Sequence, residues 1–245
     1  MSRLADAGCI APREEALALV GAAGDTDQLD SLVGRRCDGE PLAWLVGSVT
    51  FCGRPIRVAP GVYVPRPQSE LIAEAGAGRL PKRGLAVDLC TGAGAIAAVL
   101  THRRPRARVL ATEIDPLAAG CARGNGVEVL VGDLADPLPS DLTGRVDVVT
   151  SVPPYVPTGA MALLPRDVVT YEPRAALDGG SDGLVLVRRV VRAAARLLRP
   201  GGSLVVELGG DQDARLGDDL SALGFGPLER LVDDDGDLRG VCARR

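Results

Sequence analysis

The stretch from Leu85 to Leu100 narrows the choice of folds more than any other part of this chain. Leu85, Ala86 and Val87 form a short apolar run without alternation, which suits a parallel strand buried on both faces. Asp88-Leu89-Cys90-Thr91-Gly92-Ala93-Gly94 then turns the chain, and Ala95 to Leu100 are good helix formers or apolar. Strand, Gly-rich turn and helix in that order read as a ligand cradle. Gly92 and Gly94 let the backbone approach a ligand closely, and free amide hydrogens wait at the start of the helix.

The alternation of strand and helix continues from there. Arg108 to Glu113, Glu128 to Gly132, Val146 to Ser151 and Ser203 to Leu208 are expected as strands. Helices are expected over Pro116 to Arg123, over Asp182 to Leu198, which Pro200-Gly201-Gly202 closes, and over Gln212 to Leu223. Leu228 to Val232 and Arg239 to Ala243 form a closing hairpin around the acidic turn Asp233 to Asp237. The fold class is α/β, a doubly wound and mainly parallel seven-stranded sheet. The first third differs: a helix from Pro12 to about Gly21, a second capped by Thr26, a hairpin of Val46 to Phe51 with Pro55 to Val58, and a Pro65-Arg66-Pro67 connector before a helix of Leu71 to Ala75. Residues 1–75 are therefore expected as a small helical and hairpin domain, and residues 76–245 as the sheet domain.

Composition limits the chemistry. Hydrophobic residues make up 46% of the 245 but aromatics only 2%, so the core is built from Ala, Val and Leu. No apolar run approaches the roughly 20 residues that span a bilayer, and Met1 to Ala11 carries acid without a long apolar core, so a cytoplasmic protein is expected. The six cysteines have no paired spacing and His102 is the single histidine, which argues against a metal site and against triad catalysis. A net charge of −4 fits extended nucleic acid poorly.

Acidic residues at strand ends point to the ligand. Glu113 closes its strand where a carboxylate can accept both hydroxyls of a ribose, and Asp133 follows the next strand, where it could accept from an exocyclic amine. With Asp88 these make an acidic crevice that would repel a pyrophosphate, and no phosphate-binding Gly-Lys-Ser/Thr follows the loop. An adenosine bearing a cationic centre, S-adenosylmethionine, is the fitting ligand. Directly after the fourth strand stand Val152-Pro153-Pro154-Tyr155. The prolines donate no backbone hydrogen and hold the chain extended, so neighbouring carbonyls stay free to hold a planar amine or amide nitrogen beside the tyrosine ring.

In these motifs the chain resembles the protein-glutamine N-methyltransferases that modify peptide chain release factors and, in a sister branch, a ribosomal protein. Val152 to Tyr155 matches their Asn-Pro-Pro-Tyr signature except at its first residue, and Pro65-Arg66-Pro67 matches their proline-arginine-proline segment. Arg35-Arg36, Asp38 to Leu42, Tyr171-Glu172-Pro173 and Glu207 with Gln212 extend the likeness from about Arg35 to Val241. The resemblance implies a class I methyltransferase-like sheet domain and an amino-terminal part, residues 1–75, that recognises the protein substrate. It places the cofactor loop on Cys90, Thr91, Gly92, Ala93 and Gly94 beside Asp88, the ribose acid on Glu113, the adenine contacts on Asp133 and Leu134, and the acceptor turn on Val152, Pro153, Pro154 and Tyr155. Val152 also borders the cofactor. The implied reaction is methyl transfer to a glutamine side-chain amide of a translation protein. Val152 in place of asparagine, the short Gly124-Asn125-Gly126 linker and the small amino-terminal part depart from the family. The altered turn and small first part suit a small-molecule amine acceptor, a DNA adenine is an alternative because such enzymes share a related turn, and cofactor binding without catalysis is a third.

Overall fold

The computed structural model describes residues 1–245. Four helices come first, α1 (Ser2–Asp6), α2 (Pro12–Ala22), α3 (Thr26–Cys37) and α4 (Leu42–Val46), then the hairpin β1 (Ser48–Phe51) and β2 (Arg54–Arg57). The sheet region follows with α5 (Glu70–Arg79), β3 (Leu85–Leu89), α6 (Ala95–Arg103), β4 (Arg108–Glu113), α7 (Pro116–Gly124), β5 (Glu128–Val131) and β6 (Val146–Ser151). After α8 (Arg166–Tyr171) come α9 (Val185–Leu197), β7 (Leu198–Glu207), α10 (Gln212–Ala222), β8 (Glu229–Val232) and β9 (Leu238–Arg244).

Seven strands form one sheet in the order β5-β4-β3-β6-β7-β9-β8. The first five are parallel, and β9 runs antiparallel between β7 and β8. The expected mainly parallel, seven-stranded sheet is therefore present. Strand order reverses at β3, flanked by β4 on one side and β6 on the other, so the carboxyl ends of these three strands splay around one crevice. The Gly-rich loop, Glu113 and the Val152 to Tyr155 turn all follow these three strand ends. The centre is dry because Ala86, Val87, Leu89, Val146, Val148 and Val149 are buried. On α9, Val187, Val190, Val191, Ala194 and Leu197 form a buried stripe at helical spacing, and Arg189, Arg192 and Arg196 face outward.

The amino-terminal elements pack in two places. Leu4, Leu19, Leu32 and Leu45 join α1 to α4 in a small cluster of their own. Trp44, Phe51 and Ile56 instead share a buried cluster with Ile72, Ala73 and Ala77 of α5 and with Ala86 and Val148 of the sheet. Helix α5 runs unbroken through residue 75 and lies so close to β6 that a Cβ on Gly76 would stand 2.7 Å from Thr150 Cγ2.

Several local expectations change. Asp25, not Thr26, caps α3, because Asp25 holds the extended N-cap conformation and accepts from the Gln28 amide at 2.8 Å. Val46 belongs to α4, where burial of Trp44 and Leu45 outweighs strand propensity, and the hairpin starts at Ser48. Strand β7 begins at Leu198, with a register shift against Val146 and Val148 that absorbs Pro200-Gly201-Gly202. No helix is long and apolar enough to cross a membrane.

Candidate active site

The turn after β3 is wound into the left-handed region at Cys90 (φ 57°), Gly92 (56°) and Gly94 (82°). Gly94 has a second reason to lack a side chain, since a Cβ there would sit 2.9 Å from Ala122 Cβ. Asp88 braces this turn from beneath. Its carboxylate is buried and accepts from the Thr91 hydroxyl at 2.5 Å and the Thr150 hydroxyl at 2.6 Å, tying the turn to β6. Burial pushes its carboxyl up to about 6, and the two hydroxyls with the Ala97 amide pull the other way. Asp88 is therefore braced by the protein at both oxygens, and it also borders the loop-side half-cleft with Thr91 and Ala93. Asn125 pins the turn from outside, donating to the carbonyls of Ala93 (2.8 Å) and Arg57 (2.9 Å) and accepting from the Arg57 amide (2.8 Å). The short linker after α7 therefore fastens the hairpin to the loop.

Glu113, at the end of β4, is aimed by two backbone amides. Gly92 donates to Oε2 at 2.8 Å and Asp115 to Oε1 at 3.0 Å. The carboxylate borders a half-cleft with Gly61, Val62, Tyr63, Ile114, Pro154 and Leu186. Ile114 is 65% exposed there, an apolar face that sequence reading passed over. Asp133 and Leu134 do not line this space. Asp133 is paired with Arg189 of α9 at 2.6 Å, and the Leu134 side chain is buried among Leu138, Leu142 and other core residues. The chain turns at Gly132 directly after β5, which carries both away from the opening.

A second half-cleft lies on the loop side, bordered by Phe51, Ser69, Thr91, Ala93 and Ile96. A third cavity lies beyond the Val152 to Tyr155 turn, bordered by Pro153, Tyr155, Val156, Arg66, Gln68 and Ile10. Tyr63 and Val152 line all three spaces, so the three meet at these two side chains. The carbonyl oxygens of Val152, Pro153 and Pro154 accept no hydrogen bond within the chain. Arg66 stacks on the Tyr63 ring at 5.1 Å and pairs with the buried Glu172, whose other oxygen accepts from the Val64 amide at 3.3 Å.

No family model matches the chain. It is 39% identical over 219 residues to the release factor glutamine methyltransferase of Geobacter sulfurreducens, a match over 87% of this chain and 76% of that protein. The chain belongs to the release factor glutamine methyltransferase family. The Mycolicibacterium smegmatis protein of the same name is 45% identical over 184 residues, 73% of this chain and 65% of that protein's length, just under two thirds. A 4-amino-L-phenylalanine/4-methylamino-L-phenylalanine methyltransferase of Streptomyces pristinaespiralis is 41% identical over 74% of this chain and 65% of its own. Among solved structures, a Pyrococcus furiosus methyltransferase aligns with a TM-score of 0.57 at 20% identity over 79% of this chain and 89% of that one. A Thermus thermophilus 16S rRNA methyltransferase, solved with its methyl donor and guanosine, aligns at 0.53 and 19% identity over 80% and 44%. These two establish the class I methyltransferase fold.

The two half-clefts suit the family's cofactor, S-adenosylmethionine. Neither contains Arg or Lys to meet a phosphate, and the half bordered by Glu113 and Asp115 sets these acids within mostly apolar walls. The structure brings Asp88, Cys90, Thr91, Gly92, Ala93, Glu113 and the Val152 turn together, and Asp133 and Leu134 do not border these half-clefts. Gly94 lies behind them as the N-cap of α6. Tyr63 and Ile114 are the residues that sequence reading missed. The signal for Tyr63 was an aromatic residue two positions before the Pro-Arg-Pro connector in a chain with three tyrosines. Ile114 carried no signal beyond its place after Glu113.

Proposed function

We propose that this chain methylates the side-chain amide nitrogen of a glutamine in a translation protein such as a peptide chain release factor. The observation that carries the proposal is the set of unpaired carbonyls at Val152, Pro153 and Pro154, beside the point where the three cavities meet. Two acceptors on a rigid turn suit the two hydrogens of a primary amide. Bound across the half-clefts, S-adenosylmethionine supplies an electrophilic methyl carbon. Glu113 accepts from the ribose hydroxyls, Ile114 packs on the base, and the loop amides face the amino-acid end. The Val152 and Pro153 carbonyls take the amide hydrogens and hold the nitrogen at one orientation. Tyr63 and Val152 keep water from the junction, so positioning supplies most of the rate. Residues 1–75 select the acceptor, since Ile10, Tyr63, Arg66 and Gln68 border its cavity, and residues 76–245 carry most of the transfer machinery, with Phe51, Val62, Tyr63 and Ser69 completing the cofactor half-clefts. All six cysteines are free, which suits work in the cytoplasm.

One observation favours a second reading. Val152 removes the amide-reading side chain of the family turn, and the acceptor cavity is walled by Tyr63, Tyr155, Val156, Leu164, Val168 and Leu177. Such walls suit an aryl amine, the acceptor named for the Streptomyces relative. Incubation with methyl-labelled cofactor, a glutamine-containing release-factor peptide and 4-aminophenylalanine, read by mass spectrometry, separates the two. Label on glutamine supports the proposal, label on the aryl amine alone supports the second reading, and cofactor binding without either product overturns both.

A further inference from the structure

Glu207, the last residue of β7, is fully buried behind the junction and borders none of the three cavities. Its Oε1 accepts from the Tyr155 hydroxyl at 2.9 Å. The other end of Tyr155 is held as well, since Gln212 Nε2 donates to the Tyr155 carbonyl at 2.8 Å while Gln212 Oε1 accepts from the Gly209 amide at 3.0 Å. Glycines close the remaining sides. A Cβ on Gly183 would stand 2.3 Å from the Tyr155 carbonyl oxygen, and one on Gly179 would stand 2.8 Å from Tyr155 Cα. The pose of the acceptor turn is therefore dictated from β7 and α10, which meet neither ligand.

Glu207 Oε2 and Ser69 Oγ are both buried and near enough to interact, but they fall short of a well-formed hydrogen bond and have no other partner. Orphaned buried polar atoms are rare, and two that face each other form an incomplete contact. Ser69 lines the loop-side half-cleft and Tyr155 lines the acceptor cavity, so the carboxyl stands between a cofactor wall and an acceptor wall.

We infer that Glu207 is a positioning residue that couples the two walls: cofactor binding closes Ser69 Oγ onto Glu207 Oε2, and the carboxyl, held at both oxygens, fixes Tyr155 against the acceptor. The inference rests on the proposed role of the Val152 to Tyr155 turn and assigns no bond-making to Glu207. A carboxyl free at one oxygen pivots about its single contact, whereas one held at both does not, and the tyrosine hydroxyl follows it.

The chain has three tyrosines, Tyr63, Tyr155 and Tyr171, so ring-labelled tyrosine gives an assignable NMR spectrum of the full chain. At saturating S-adenosylhomocysteine the Tyr155 resonance shifts and sharpens in wild type. In Ser69→Ala and Glu207→Leu that response is lost, and in Glu207→Gln, which keeps an acceptor and adds a donor, it returns. With the release-factor peptide, Glu207→Leu and Tyr155→Phe each lower kcat by about 10- to 100-fold, as loss of orientation does. KM for S-adenosylmethionine stays within threefold, and the double variant is no slower than either. A Tyr155 response identical in wild type, Ser69→Ala and Glu207→Leu overturns the inference, as does additive loss in the double variant. If Glu207→Leu does not fold, Ser69→Ala and Tyr155→Phe decide. A wild type inert on the peptide but with its Tyr155 response dependent on Ser69 refutes the glutamine acceptor and leaves the coupling standing.

Discussion

Replacement of Glu113 by alanine tests the cofactor site most directly. Each carboxylate oxygen accepts one backbone amide, from Gly92 at 2.8 Å and Asp115 at 3.0 Å, which leaves one acceptor position per oxygen for the two hydroxyls of a ribose. A hydrogen bond to a charged group contributes about 1.5–3 kcal/mol, and two on one carboxylate do not add fully. The net loss on removing Glu113 is thus about 1.5–3 kcal/mol, or roughly 10- to 150-fold in Kd. The freed amides border the cleft and not the core of the sheet, so the variant is expected to keep its fold. Calorimetric titration with S-adenosylhomocysteine reads the change directly, and thermal unfolding confirms that the variant is native. An affinity within threefold of wild type in a folded Glu113→Ala protein would refute the ribose assignment.

Val152→Asn restores the amide-reading side chain at the meeting point of the three cavities, and is expected to raise turnover of a release-factor glutamine peptide about 10- to 100-fold, worth one to two powers of ten for a regained contact of 1–3 kcal/mol. Unchanged turnover at saturating cofactor would show that Val152 is silent. Gly183→Ala puts a Cβ 2.3 Å from the Tyr155 carbonyl oxygen at φ 73°, and strain in the left-handed region alone costs about 1–3 kcal/mol. A lower Tm and displaced turn are expected, and wild-type Tm would count against the clamp on Tyr155. Asp88 keeps its proton up to about pH 6 when folded against 3.8 for the free group. Folding is therefore favoured by low pH across that window, and stability falls by up to about 3 kcal/mol as pH rises from 4 to 7. Asp88→Asn should flatten this slope in denaturant titrations at several pH values, and equal slopes in both proteins would exclude the buried proton.

Local pattern alone settled the βαβ register of this protein. The runs Leu85 to Val87, Arg108 to Glu113 and Val146 to Ser151 are strands because each has a short apolar centre bounded by a turn, and their carboxyl ends carry the loop, Glu113 and the Pro-Pro-Tyr turn. Once those strands are parallel neighbours, the three features must converge. What local pattern could not settle is which side chains face the opening. Asp133 follows a strand end as Glu113 does, yet Arg189, 56 residues away in sequence, captures it, while Glu113 is aimed by the Gly92 amide from the adjacent loop. Asp88 sits in the cofactor motif, but Thr150 from the neighbouring strand occupies its second oxygen. Tyr63 reaches the junction, and α5 crosses residue 75 to join the sheet core, because packing against distant residues decides both. Periodicity is a property of neighbours along the chain, whereas the direction and partner of a polar side chain depend on groups that folding brings from elsewhere. The strands of the sheet and its main helices were thus legible in the sequence, whereas the short helices at Ser2–Asp6, Leu42–Val46 and Arg166–Tyr171, and the partner each carboxylate takes, were decided by the tertiary structure.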